Sequence, residues 1–313
     1  MSRTFLVDDA RVRSLSATRQ GRVSLGGFAY QAGYAVARLA SLHARRPVLD
    51  LPGVPVLLRY DWAEDLDEME TDGRAVFTQC KRIADIGQPA SLAGILTGFA
   101  PKWLWAPEER RTELRFRLVC PDLRFAGRGP VPLAADRRRA EVLAAAESLL
   151  AKPPGRSSDR ALWQTEAEAA GFGPLLEALW DQTEVLHLPA EPLTDDPAGP
   201  LLPAERSALE LLVRCQAVVP SRQRQALAEL RSLLHSNVVE LDLTGDRPVP
   251  VLDRAPRVLD GDDVRYALFG IQMPSEEQPP FRVVTRLFLE EEAVKPRRPY
   301  VARPPQWADV VHG

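Results

Sequence analysis

Cysteine and histidine are scarce in this chain. There are three cysteines (Cys80, Cys120, Cys215) and four histidines (His43, His187, His235, His312) in 313 residues. Their spacing forms neither a disulfide framework nor a zinc site, and no His-x-x-x-His pair exists to build a histidine-held zinc centre. The cysteines read as small core residues. No Gly-x-x-x-x-Gly-Lys-Ser/Thr occurs, which excludes a P-loop. No apolar run approaches the roughly 20 residues that cross a bilayer. The first residues, Met-Ser-Arg-Thr-Phe-Leu-Val, lack the apolar core and cleavage site of a signal peptide. These absences lead to the expectation of a cytoplasmic protein with no membrane contact.

Hydrophobic residues make up 45% of the chain, enough for a normal packed core. The net charge of -3 hides an asymmetry: residues 1–130 carry 19 Lys/Arg against 15 Asp/Glu, and the remainder carries 21 against 28. A mildly basic first part and an acidic second part suit a nucleic-acid-facing domain joined to something else.

After a polar, Arg-rich start, Gly26-Gly27 opens a helical pattern (Phe28, Ala32, Ala35, Val36, Leu39, Ala40, Leu42) that Pro47 closes. Residues 54–60 read as a strand. The acidic stretch 61–70 reads as a solvated hairpin loop, with Asp72-Gly73 as its turn signal. Residues 75–81 read as the next strand, paired with 54–60. A helix capped by Ser91 runs to about Trp105, and residues 114–120 alternate like a half-buried strand. From Pro130 the patterns are mostly helical, over 134–150, 162–170, 175–180, 204–217 and 222–235. Residues 189–203 read as a Pro-rich linker, 238–243 and 281–289 as strands, and 296–313 as an extended tail. The expected organisation is an α/β domain over 1–130, a mainly helical regulatory or oligomerisation region over 131–295, and the tail.

The chemistry-bearing residues lie in the first part. Asp61, Glu64, Asp65 and Asp67 follow one strand, and Gln79-Cys-Lys81 ends the next. Alternation puts Gln79 and Lys81 on one face, at the same end of the hairpin as the acids. Carboxylate and amide oxygens are hard ligands suited to a magnesium ion. A lysine beside them can orient water and stabilise developing negative charge. Such a set suits phosphodiester hydrolysis. Gln79 supplies a neutral oxygen where an acid is more usual, which lowers the expected metal affinity. Taken one at a time, these residues also fit a solvated loop, exposed strand positions and a helix surface.

An acid after one strand and acid-x-Lys on the next is the pattern of the PD-(D/E)xK restriction-endonuclease-like superfamily. The form here is Gly27-Phe-Ala-Tyr30-Gln31, then Glu64-Asp65-Leu-Asp67, then Gln79-Cys-Lys81. It resembles the nuclease domain of CD-NTase-associated bacterial defence endonucleases over about residues 20–125. That resemblance implies a restriction-endonuclease-like core with catalytic Asp65, Gln79 and Lys81. The metal ligands would be Asp65 and Gln79, with Asp67 next in line and Asp61 also open. Gln31, Glu64 and Tyr30 would support them. The cofactor would be Mg2+, or Mn2+ in its place.

The expected function is endonucleolytic cleavage of double-stranded DNA with little sequence specificity, in anti-phage defence. Activation would come through a homo-oligomer or a partner such as an ATPase, an SMC-like protein or an Argonaute. Arg82, Arg110 and Arg111 are candidate phosphate contacts. Two alternatives are a non-catalytic assembly subunit that keeps the nuclease fold, and a nuclease acting on RNA.

Overall fold

The computed structural model describes residues 11, 25–60, 64–81, 88–121, 130–135, 138–154, 159–193, 201–235, 241–242, 249–250 and 258–268. They form a mixed α/β fold with helices on both faces of a central sheet. The first helix, α1 (Leu25–Ala44), leads into strands β1 (Pro55–Tyr60), β2 (Leu66–Glu70) and β3 (Ala75–Cys80). Helix α2 (Pro89–Leu104) and strand β4 (Leu114–Cys120) follow, then the short β5 (Pro130–Pro132). Helices α3 (Arg139–Ala151), α4 (Gln164–Ala170) and α5 (Phe172–Asp181) lead to β6 (Thr183–His187). The last part holds α6 (Pro203–Arg214), α7 (Gln223–His235), the two-residue strands β7 (Leu241–Asp242) and β8 (Val249–Pro250), and α8 (Gly261–Leu268). Among the described residues no helix is long and apolar enough to cross a membrane.

The central sheet has six strands in the order β1-β2-β3-β4-β6-β5. β1, β2 and β3 form an antiparallel meander, β3, β4 and β6 run parallel, and β5 returns antiparallel. The parallel joints need crossovers, and α2 alone supplies the first while α3, α4 and α5 occupy the second. β1 is bridged by the chain itself, through paired hydrogen bonds between Leu58 and Leu259. Pro130 and Pro132, which have no N–H to offer a further strand, lie on the opposite edge.

One face of the sheet carries α1, whose residues 30–42 are all buried. The helix is enclosed by the sheet on one side and by α6, α7 and α8 on the other. Gly33 allows the approach: a Cβ there would lie 2.7 Å from Leu202 Cδ1. On the opposite face, Phe77 and Phe116 pack with Leu92, Leu96 and Phe99 of α2 and with Trp163, Leu179 and Trp180. Phe99 and Phe116 stack at 4.9 Å.

Several expectations change here. Residues 66–70, expected in a loop, form β2, which lies between β1 and β3 and so separates the two strands expected to pair. The reason is electrostatic. Asp67, Glu68 and Glu70 are all buried, each against arginine. The Asp-Gly turn joins β2 to β3, with Gly73 at a φ of 87°. α2 begins at Pro89, without a side-chain cap, and not at Ser91. β6 was not expected at all. The division expected at 130 crosses the sheet, since β4 pairs with β6 and both cores draw on residues from either side. The apolar faces of α3, α6 and α7 pack within the chain. The strand expected over 281–289 and the tail 296–313 lie outside the described residues.

The largest buried charge cluster sits between α1 and the sheet. Arg38 donates to Glu68 at 2.5 Å and to the Gly53 carbonyl at 3.2 Å. Arg117 donates to Glu184 at 2.6 Å, Tyr34 Oη at 3.0 Å and Glu68 at 3.2 Å. Glu70 stands 3.6 Å from Arg38 and 3.8 Å from Arg117. It fills the space where a side chain at Gly53 would lie, 1.7 Å from the position of a Cβ. Arg74 reaches Glu70 at 3.7 Å but lies closer to Asp72, at 2.5 Å. Burial pushes the Glu70 carboxyl up from the usual carboxylate range, against the lowering pull of Arg117 and Arg38.

This packing sets three expectations. A 1–130 fragment loses β6, α5 and α6, which leaves β4 unpaired on one side and α1 uncovered. It should show no cooperative thermal transition by circular dichroism. The second concerns pH. Because Glu70 holds its proton more tightly folded than unfolded, its contribution to stability declines as pH rises above the unfolded carboxylate range. Glu70→Gln should therefore flatten the fall in melting temperature as pH rises above the unfolded carboxylate range. Glu68→Gln, which strips a shared partner from Arg38 and Arg117, should cost about 3–5 kcal/mol. Denaturant titrations of both variants across that pH range check the pair.

Candidate functional site

The first turns of α1, the bend before β2 and the end of β3 meet at one end of the sheet. Asp67 stands across from Phe77 in the β2–β3 register, and Phe77 packs against α2. Gln79 and Lys81, two and four residues on, continue that face. Glu64 and Asp65 lie in the bend that precedes β2. Asp65 Oδ2 accepts the backbone N–H of Cys80 at 2.6 Å, which ties the acid to the strand between Gln79 and Lys81. Gln31 donates from Nε2 to the Asp65 carbonyl at 3.2 Å. Tyr30 donates its hydroxyl to the Leu188 carbonyl at 2.7 Å and so anchors the start of α1 to the end of β6. Lys81 leaves the strand with its N–H on the Val119 carbonyl at 2.8 Å.

The three described acids have different surroundings. Asp67 is fully buried; its Oδ1 accepts the Glu64 N–H at 2.9 Å, and its Oδ2 meets Arg59 at 3.1 Å. Both oxygens are thus engaged inside the protein, unlike the half-buried Asp65. Glu64 is also buried, and its carboxylate forms an ion pair with Lys102 of α2. Asp65 is the half-buried one of the three. Asp61 and Arg82 lie outside the described residues.

Gln79 Oε1 is buried and has no hydrogen-bond partner among the described residues. A buried acceptor left unmet costs free energy, and a cation would meet it. Asp65 and Gln79 thus fit a hard divalent ion that keeps most of its waters. Among the described residues no group of three or more His, Cys, Asp or Glu gathers to hold a metal. Among the described residues, the candidate ligands here are one carboxylate, Asp65, and one amide, Gln79. Burial raises the Cys80 thiol well above its ordinary range, so it remains a neutral core group between Gln79 and Lys81.

Arg110 and Arg111 are not brought to this end. β4 begins opposite Ala75, so they lie about five strand residues away, roughly 16 Å. Arg110 pairs with Glu113 at 2.6 Å. Arg111 stacks over Trp103 at 4.2 Å and donates to the Leu104 carbonyl.

Sequence reasoning missed Lys102 and Arg59. Lys102 left a signal: it is the one charged residue in the 16-residue sequence of α2.

These surroundings predict different outcomes for the two aspartates. Asp67→Asn should lower stability by about 3–5 kcal/mol, because Arg59 stays buried without its charge partner. Asp65→Asn should melt nearly as the wild type does but lose Mn2+ binding. Thermal melts beside isothermal titration with Mn2+ separate the two effects. No family model matches the chain, and no match was found among curated proteins or solved structures.

Proposed function

We propose that the chain is a metal-dependent endonuclease of the restriction-endonuclease-like kind, hydrolysing double-stranded DNA with little base specificity. On this reading it serves in the cytoplasm of a bacterium as a conditional effector against phage. The observation that carries the reading is the convergence of Asp65, the unmet Gln79 oxygen and Lys81 at one end of the sheet. The element order supports it too: a helix, three antiparallel strands, a helix, then a parallel strand. The acid opens the second strand and Gln-x-Lys closes the third.

Asp65 and Gln79 would hold the metal ion. When bound, such an ion neutralises phosphate charge and lowers the pKa of its water. Lys81, half-buried at the strand end, holds an ammonium where negative charge on phosphate oxygens grows. Gln31 fixes the Asp65 backbone, and Cys80 N–H fixes one carboxylate oxygen, so the acid is oriented before substrate arrives. Sequence-independent binding would come from backbone phosphate contacts.

One observation favours a second reading. Two of the three described acids are held in internal ion pairs, which suits a non-catalytic assembly subunit that retains the fold. Plasmid cleavage separates the readings. With Mg2+ the wild type should degrade plasmid DNA, and EDTA should stop it. Lys81→Ala should lose at least about 100-fold in rate while melting normally. A Lys81→Ala protein that cuts as the wild type does overturns the assignment of Lys81. A wild type that never cuts, alone or with candidate activating partners, favours the assembly subunit. Parallel assays on RNA decide the substrate.

A further inference from the structure

We infer that Lys102, on α2, is a positioning residue for the metal-binding acid Asp65, acting through a buried ion pair with Glu64. The inference rests on the proposed nuclease site and adds to it a residue outside the three motifs.

Lys102 is fully buried. Its side chain runs back along α2, as helical side chains do. Its ammonium donates to the Gly98 carbonyl at 3.0 Å and to Glu64 Oε1. Enclosed in this way, it does not touch substrate. Taking an ammonium and a carboxylate out of water costs several kcal/mol for each ion, and the pair roughly recovers that cost only with good geometry. An apolar pair would stabilise the fold as well. What an ion pair adds is direction.

The direction matters because residues 64 and 65 form a bend and not part of a ladder. Sheet hydrogen bonds therefore do not set their conformation. Grips from neighbouring elements do. From α2, Lys102 holds the Glu64 side chain. From β1, Arg59 holds Asp67, whose other oxygen takes the Glu64 N–H at 2.9 Å. From α1, Gln31 holds the Asp65 carbonyl. Asp65 sits between these clamps with its carboxylate on Cys80 N–H, one residue from the unmet Gln79 oxygen. With one carboxylate and one amide as its protein ligands, the site tolerates little misorientation of the carboxylate. Loosening the corner should weaken cation binding even where the fold survives.

The test uses the full chain and Mn2+ alone as the probe, with thermal melts beside isothermal titration. The proteins are wild type, Asp65→Asn, the neutral pair Glu64→Gln/Lys102→Met, and Glu64→Asp. The neutral pair removes both charges together, so it should melt within a few degrees of wild type. It should bind Mn2+ at least about 10-fold more weakly, the size of effect that outer partners of metal ligands carry. Glu64→Asp keeps the charges and shortens the reach by one methylene. It should weaken Mn2+ binding while melting normally, and it decides the matter if the neutral pair does not fold. Wild-type Mn2+ affinity in a folded neutral pair, or in Glu64→Asp when the neutral pair fails to fold, makes Lys102 a strut and overturns the inference. Mn2+ binding that is absent from wild type, or unchanged in Asp65→Asn, overturns the nuclease site itself and the positioning role with it.

Discussion

Neutralisation of the acidic strand β2 by buried cations is the constraint on which the rest of this structure depends. Leu-Asp-Glu-Met-Glu is an unpromising sequence for a strand between two others. Three of its five residues are acids, and all three are buried. They are accommodated because both sheet faces supply arginine. Arg38 of α1 and Arg117 of β4 serve Glu68 and Glu70 on one face, and Arg59 of β1 serves Asp67 on the other. Burying charges contributes little net stability, but removing one partner is costly. The cluster therefore acts less as a source of stability than as a specification of which elements must meet. It joins α1, β2, β4 and β6 in one arrangement.

That arrangement positions the candidate site. With β2 in register between β1 and β3, the bend at Glu64-Asp65 falls beside the end of β3. The Asp65 carboxylate can then take the Cys80 N–H, and Gln31 can reach the Asp65 carbonyl from α1. The clamps on Glu64 and Asp67 close the corner from α2 and β1. The surroundings also distinguish the acids. Glu64 and Asp67 are buried in ion pairs with Lys102 and Arg59, and Asp65 is half-buried. The apolar faces of α3, α6 and α7 are covered by the chain's own core.

Much was legible from pattern alone, where local rules suffice. α1 follows from an unbroken helical spacing of apolar residues, and β4 from alternation. The Asp72-Gly73 turn follows from the left-handed φ that glycine accepts. Asp65, Gln79 and Lys81 were named from their order and spacing, and Tyr30 and Gln31 from the family resemblance. All five lie at or beside one end of the sheet.

What the sequence determined by itself is the set of local conformations and the residue types able to do metal chemistry, because helical period, strand alternation and turn preference act over a few neighbours. What only the tertiary structure decided is which charges are buried and with whom. β2 looked like a loop because its buried arginine partners, Arg59, Arg38 and Arg117, stand 8 to 49 residues away, on other elements of the fold. β6 was invisible because a five-residue strand is justified only by the edge of β4 that it pairs with. Asp67 and Asp65 are two residues apart and chemically alike, and nothing local separates them. Only the tertiary structure buries one against Arg59 and leaves the other half-exposed at the corner.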